Sequence, residues 1–266
     1  MSTLWAWLLA GEHWTGSDGI LTRIVEHLVF SVITVAIAAA IAIPLGLWIG
    51  HTGKGRVVAV NVVNGVRSLP TLGLLFIAVL VLGPRLRGDL AFVLPSILVL
   101  VVLAVPPILA GTYSGVDEVD PAARDAAKGM GMTSLQVLRD VEIPCALPLI
   151  FSGLRSSMLQ VIATATIAAA VSVGGLGRFL IDGQAVQDYG QMGGGAVLVA
   201  LLAVLVDLVL SVSQRMLVSP GLAPTRPSAA VDPTHASDTD PDTDPSSDPT
   251  DQSVAPSGTA LQGDSR

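Results

Sequence analysis

The chain has 266 residues, 51% of them hydrophobic and only 13% charged, with a mean hydropathy of +0.68. A soluble domain carries roughly 25% charged residues, so these proportions exclude a soluble globular protein and imply an all-α integral membrane protein. The net charge of −7 is local: residues 219–266 hold eight Asp against Arg226 and Arg266, which is −6 and leaves −1 for the rest.

Residues 1–22 carry Trp5, Trp7 and Trp14 together with Glu12, His13 and Asp18. They lack a basic start and a small-residue cleavage site, so they read as an extracytoplasmic interfacial segment and not as a signal peptide. Five apolar runs follow, at about 23–50, 57–83, 91–115, 145–173 and 194–217. Each is long enough to cross a hydrocarbon core as a helix, the open-chain form that satisfies its own backbone there. Residues 23–218 are therefore expected to form one transmembrane domain of five helices.

The first run opens with Arg23, Glu26 and His27, expected to be solvated at the outer boundary, and ends in Gly46 and Gly50, a small-residue pair suited to close helix packing. In the second, Asn61, Asn64 and Arg67 recur every three residues and are followed by Ser68, Leu69, Pro70 and Thr71. Pro70 lacks an N–H and interrupts the helix, and an Arg at that depth faces protein or a water-filled cavity. Asn64, Arg67, Ser68 and Pro70 are thus candidates for a translocation pathway; a kinked packing helix with Arg67 snorkelling to the cytoplasm fits the same residues. The third run holds Pro95, Pro106 and Pro107 and a second small pair, Gly111 and Gly115.

Between the third and fourth runs lies a polar island, 117–146, with six acidic and three basic residues. Asp120 is a good N-cap with Pro121 at the first helical position, and Ala123, Ala126, Ala127 and Met130 share one face of a short helix. Gly129 and Gly131 end it. Thr133 and Gln136 make a capping box for a second short helix, expected to stop before Pro144. Small residues rimmed by charge suit docking to a soluble protein.

In the fourth run Gln160 and Thr164 are four apart and are candidates for a polar pathway or for bonds between helices. Gly174, Gly175, Leu176 and Gly177 follow a membrane helix and not a strand, which rules out a dinucleotide loop and predicts an external loop packed on helix ends. The last run holds Asp207, an intramembrane carboxylate with Arg67 and Arg155 as candidate partners. Residues 219–266 read as a disordered acidic cytoplasmic tail. An Asp-x-Asp-x-Asp pattern from Asp238 has Thr243 and Pro249 where a calcium loop needs Gly and Glu.

Loops on the island's side carry Lys54, Arg56, Arg124, Lys128 and Arg139, and Arg215 and Arg226 follow the last run; the other side has Arg23, Arg85, Arg87 and Arg178. The positive-inside rule places the island and C-terminus in the cytoplasm and the N-terminus outside, in a multi-pass cytoplasmic membrane protein. Cys145 is the only cysteine, which excludes an intramolecular disulfide and a cysteine-based metal site. Neither Lys54 nor Lys128 sits in a phosphate-cradling loop, so the chain cannot hydrolyse ATP alone. Hydrolase and metalloprotease motifs are missing too. These residues give little support to intramembrane enzymology, and no enzyme activity, cofactor or nucleic-acid partner is expected.

Asp125, Ala126, Ala127, then Gly131, then Val141, Glu142, Ile143 and Pro144 resemble the cytoplasmic EAA loop of permease subunits in ATP-binding-cassette (ABC) importers. Asp125 stands where that loop usually has Glu. The osmoprotectant branch, for glycine betaine, carnitine and choline, is similar at Glu26-His27, at Asn64 through Thr71, at Gly129 through Thr133 and at Gly174 through Gly177; Arg67 stands where it usually has Gln. The resemblance covers about residues 20–218. It implies the type I ABC importer permease (MetI-like) fold and makes Asp125, Ala126, Ala127, Gly131, Val141, Ile143 and Pro144 the residues that dock on an ATPase subunit dimer. It also implies a second permease subunit, either a copy or a paralogue, and an extracytoplasmic substrate-binding protein. With only four Trp, two Tyr and five Phe to cage a cation, high-affinity recognition is expected in the binding protein. Two alternatives remain: an ion-coupled secondary transporter using Arg67 and Asp207, for which the chain shows no convincing internal repeat, and an ABC permease for another small solute such as an amino acid.

Overall fold

The computed structural model describes residues 2–171 and 173–217, and the tail with its Asp-rich pattern lies outside them. The described residues form helices joined by short loops, with no strand among them. A short helix α1 (Ser2–Leu9) and a single 3-10 turn lead into α2 (Ile20–Thr52), followed by α3 (Arg56–Arg67), α4 (Thr71–Leu82) and α5 (Leu90–Asp117). The island supplies α6 (Pro121–Gly129) and α7 (Ser134–Val137); then come α8 (Ile143–Ala168), α9 (Gly177–Ala185) and α10 (Tyr189–Leu217).

Four helices among the described residues are long and apolar enough to cross a membrane, and the pair α3–α4 makes a fifth crossing if it is counted as one span. The expected second span is therefore not one helix. Its two halves meet at 91°, because Pro70 cannot donate to the helical ladder and the residue before a proline is pushed out of helical geometry.

Helix α5 is the centre of the fold, packed on α2 at one side and on α8 at the other. Both seams use the predicted small residues, and the second adds Gly153 of α8, which the sequence reading did not single out. A β-carbon on Gly46 would sit 2.6 Å from the Thr112 β-carbon, and one on Gly50 would sit 2.6 Å from that of Val116. Across the other seam, one on Gly111 would come within 2.6 Å of the Leu149 carbonyl, and one on Gly153 within 2.7 Å of that of Pro107. The backbones thus approach as closely as the missing side chains allow, which is how helices associate where lipid removes the hydrophobic drive.

α5 runs unbroken through its three prolines. Pro107 has no N–H to give the Leu103 carbonyl four residues earlier, and Gln160 of α8 donates its side-chain amide there at 3.0 Å. Ser157 donates to the neighbouring Ala104 carbonyl at 2.9 Å. The proline helix is repaired by its neighbour.

The N-terminal segment folds back on the bundle. Trp7 stacks on His13 at 4.8 Å, meets Phe179 edge-on at 5.2 Å and packs on α10 at Gly194, while Trp14 donates to the Leu8 carbonyl at 2.8 Å.

Candidate functional site

The island projects from one end of the bundle. Asp120 caps α6 by accepting the Ala122 N–H at 2.9 Å, with Pro121 at the first helical position. Gly131 closes it with φ +83°, the left-handed geometry glycine adopts without penalty. Ala127 is buried against the chain, whereas Asp125, Ala126 and Gly131 are exposed. So are two apolar side chains, Met130 at 76% and Leu135 at 73%. The Ala face is thus split: Ala127 holds α6 down, and Ala126 with Met130 looks outward.

Thr133 and Gln136 form the capping box of α7, with Gln136 Oε1 accepting the Thr133 N–H at 2.7 Å. The expected stop before Pro144 does not occur. Residues 134–171 form one apolar helical run, carried past the proline by a single π-helical turn, Leu138–Glu142, in which the Ile143 N–H reaches the Leu138 carbonyl. The wider turn absorbs the hydrogen bond that Pro144 cannot make. Val141, Ile143 and Pro144 are half-buried at this root of α8, away from the exposed tips.

The π turn places a residue that sequence reasoning passed over. Glu142 is only 2% exposed. One carboxylate oxygen meets His51 Nδ1 of α2 at 2.7 Å, and the other lies 3.1 Å from Arg124 Nε of α6. His51 Nε2 also pairs with Ser134 Oγ at 2.7 Å, and Arg124 Nη2 donates to the Val116 carbonyl at the end of α5. Glu142 would be stranded as a buried charge only if both His51 and Arg124 were removed. The available signal was an acid flanked by Val141 and Ile143, a position that an apolar stripe would fill. Nearby, Arg56 pairs with Asp117 at 2.9 Å on the surface.

The intramembrane candidates do not form one cluster. Asn64, Ser68 and Pro70 are exposed at the α3–α4 bend, where Ser68 Oγ donates to the Gly65 carbonyl at 2.7 Å. Arg67 is the last residue of α3. Val66 and Leu74, on either side of the bend, pack on an apolar cluster that draws on α4, α5 and α8. Thr164 donates to the Gln160 carbonyl at 2.8 Å, and Gln160 is committed to Leu103. Asp207 has the second of its two candidate partners: Arg155 grips both its carboxylate oxygens, with Nη2 at 2.6 Å from Oδ2.

The opposite end of the bundle corrects another expectation. Glu26 and His27 are not merely solvated. His27 is 2% exposed and pairs through Nε2 with the Ile162 carbonyl at 3.0 Å. Glu26 accepts the Gly175 N–H at 2.9 Å and Arg23 Nη1 at 2.8 Å. The loop at Gly174–Gly177 is packed on helix ends as predicted, bonded by Glu26 through the Gly175 N–H and packed at Gly175 against His27. Among the described residues, no group of three or more His, Cys, Asp or Glu gathers in a way that could hold a metal ion.

Residues 42–219 match the family described as "Binding-protein-dependent transport system inner membrane component". The chain belongs to this family. It is a multi-pass inner membrane transport component with the type I ABC importer permease fold. It is 36% identical over 210 residues to the glycine betaine/carnitine/choline transport system permease protein OpuCB of Bacillus subtilis (strain 168), covering 78% of this chain and 93% of that protein. It is 32% identical over 197 residues to the osmoprotectant import permease protein OsmW of Salmonella typhimurium, covering 74% and 91%. Among solved structures, a chain of the inward-facing MetNI methionine ABC transporter superposes with a TM-score of 0.64 over 75% of this chain and 97% of that one, at 23% identity. Identity that low speaks to fold alone.

Proposed function

We propose that this family member is the permease subunit of an importer for a small compatible solute, glycine betaine, choline or carnitine, driven by a separate ATPase. The observation that carries the docking part is the island: a capped two-helix unit tied to three long helices, with Met130 and Leu135 exposed at its tips. Solvent-facing apolar side chains on a charged loop suit a groove on a soluble partner, and Asp125, Ala126 and Gly131 lie on the same exposed unit. The names of the relatives supply the cargo class. Two permease chains would enclose the pathway, an extracytoplasmic binding protein would load it, and the island and C-terminus would face the cytoplasm. In this reading the α3–α4 bend with Asn64, Arg67, Ser68 and Pro70 contributes to the pathway wall.

Ion-coupled secondary transport fits less well, because Asp207, the carboxylate that would have to bind a cation, is already closed by Arg155. The cargo is tested in a bacterial strain stripped of its own osmoprotectant importers, expressing this chain with its ATPase and binding protein. Growth at high salt should be restored by at least one of glycine betaine, choline and carnitine. Uptake of an amino acid in place of all three overturns the cargo and leaves the permease class standing.

A further inference from the structure

We infer that Glu142 is the positioning residue that fixes the island to the inner end of α2, so that a push on α6 moves α2, α5 and α8 as one body. The inference rests on the proposed ATPase docking for the source of the push. The chain itself joins the island only to α5 and α8. Helix α2 lies 91 residues away from Glu142 in sequence and is reached through His51 alone among the bonds at this carboxylate.

The geometry is that of a hub. Both carboxylate oxygens face a partner: one is hydrogen-bonded to His51 of α2, and the other lies in ion-pair contact with Arg124 of α6, whose Nε is buried there without a hydrogen bond of its own. Each partner then holds a further element: His51 the first residue of α7 through Ser134 Oγ, and Arg124 the last turns of α5 through the Val116 carbonyl. Three long helices and both island helices therefore converge on a single buried side chain. Apolar residues of equal volume would hold helices together at least as well, since burying a charge costs desolvation. What the carboxylate adds is register, because its directional bond to His51 and its charge contact with Arg124 hold α2 and α6 at set positions on the π turn. By contrast the Arg56–Asp117 pair, 57% and 43% exposed, is the kind of surface pair that contributes little. The π turn fits the same job: without its extra residue Glu142 would be rotated away from His51.

The test uses the whole reconstituted transporter, with ATPase and binding protein, and reads solute moved per ATP hydrolysed. A merely structural defect lowers the amount of active protein and leaves that ratio unchanged. With Glu142→Gln the ATPase should still co-purify while the ratio falls about tenfold or more, within the span of ordinary allosteric coupling. An unchanged ratio overturns the inference, and so does loss of the ATPase, which would make Glu142 part of the docking surface. A second arm does not depend on that variant folding. Cysteines are placed by His51→Cys and Glu142→Cys in a Cys145→Ala background and joined with a short bifunctional thiol reagent. If the island and α2 travel together, the cross-linked protein keeps ATP-driven uptake; a block on cross-linking, or no cross-link at all, shows that they move apart and overturns the inference. Absence of ATP-driven uptake in the unmodified protein would instead sink the importer reading itself, so the two failures are told apart.

Discussion

Arg155 and Asp207 face each other edge to edge, guanidinium Nε and Nη2 against the two carboxylate oxygens, joining α8 to α10 across two spans that are otherwise mostly apolar. A two-bond pair of this kind fixes orientation as well as distance. Asp207→Asn should leave an Arg without a counter-charge at membrane depth and reduce the yield of folded protein. Replacing both partners, by Arg155→Gln with Asp207→Asn, should recover most of the loss. Thermal unfolding of the four purified proteins as a double-mutant cycle gives the coupling directly, and strictly additive effects would contradict the pairing.

Gly174 and Gly175 stand side by side but should differ in tolerance. A β-carbon on Gly174 would sit 2.5 Å from the Glu26 carboxylate oxygen that accepts the Gly175 N–H, so Gly174→Ala pushes that flexible side chain off the loop without straining the backbone. Gly175 has φ +90° and faces the His27 ring and backbone, so Gly175→Ala carries a left-handed penalty of about 1–2 kcal/mol on top of the contact. Thermal midpoints should rank the wild type above Gly174→Ala, which loses the Glu26 bond, and Gly174→Ala above Gly175→Ala, which adds backbone strain.

At Gly131 the constraint is backbone alone, since φ is +83° and nothing lies within 4 Å of the site. Gly131→Val should strain the joint by about 1–2 kcal/mol and loosen ATPase association. Gly131→Asn, which enters the same geometry more readily, should retain it. Co-purification of the ATPase with each variant decides between conformational strain and mere bulk.

Gln160 distinguishes a packing role from a pathway role. Gln160→Leu leaves the Leu103 carbonyl, already without a partner from Pro107, unsatisfied at a cost of about 1–3 kcal/mol. The expected result is a lower melting temperature with an unchanged KM for uptake. A changed KM at normal stability would return Gln160 to the pathway.

Much of this was legible before any coordinates. The apolar runs placed four long helices to within a few residues, and Gly46, Gly50, Gly111 and Gly115 correctly marked the close seams. Asp120, Pro121, Thr133 and Gln136 marked the island's helix starts, since capping is local chemistry. What stayed hidden depends on partners distant in sequence. His51 meets Glu142 across 91 positions, Gln160 answers a carbonyl freed by a proline on another helix, and Glu26 with His27 reaches a loop far downstream. The two geometric surprises share a cause: Pro70 bends its span by 91°, whereas Pro144 is absorbed by a π turn. Which of these a proline does is decided by the packing around it.

The central claim is that this chain is a channel-forming subunit powered by someone else's ATP. Purified permease, ATPase and binding protein are reconstituted into liposomes, and uptake of radiolabelled glycine betaine, choline and carnitine is followed with and without ATP. Uptake of at least one of them should require ATP, the ATPase and the binding protein together. Uptake that persists without ATP, or that follows an imposed ion gradient, would contradict it.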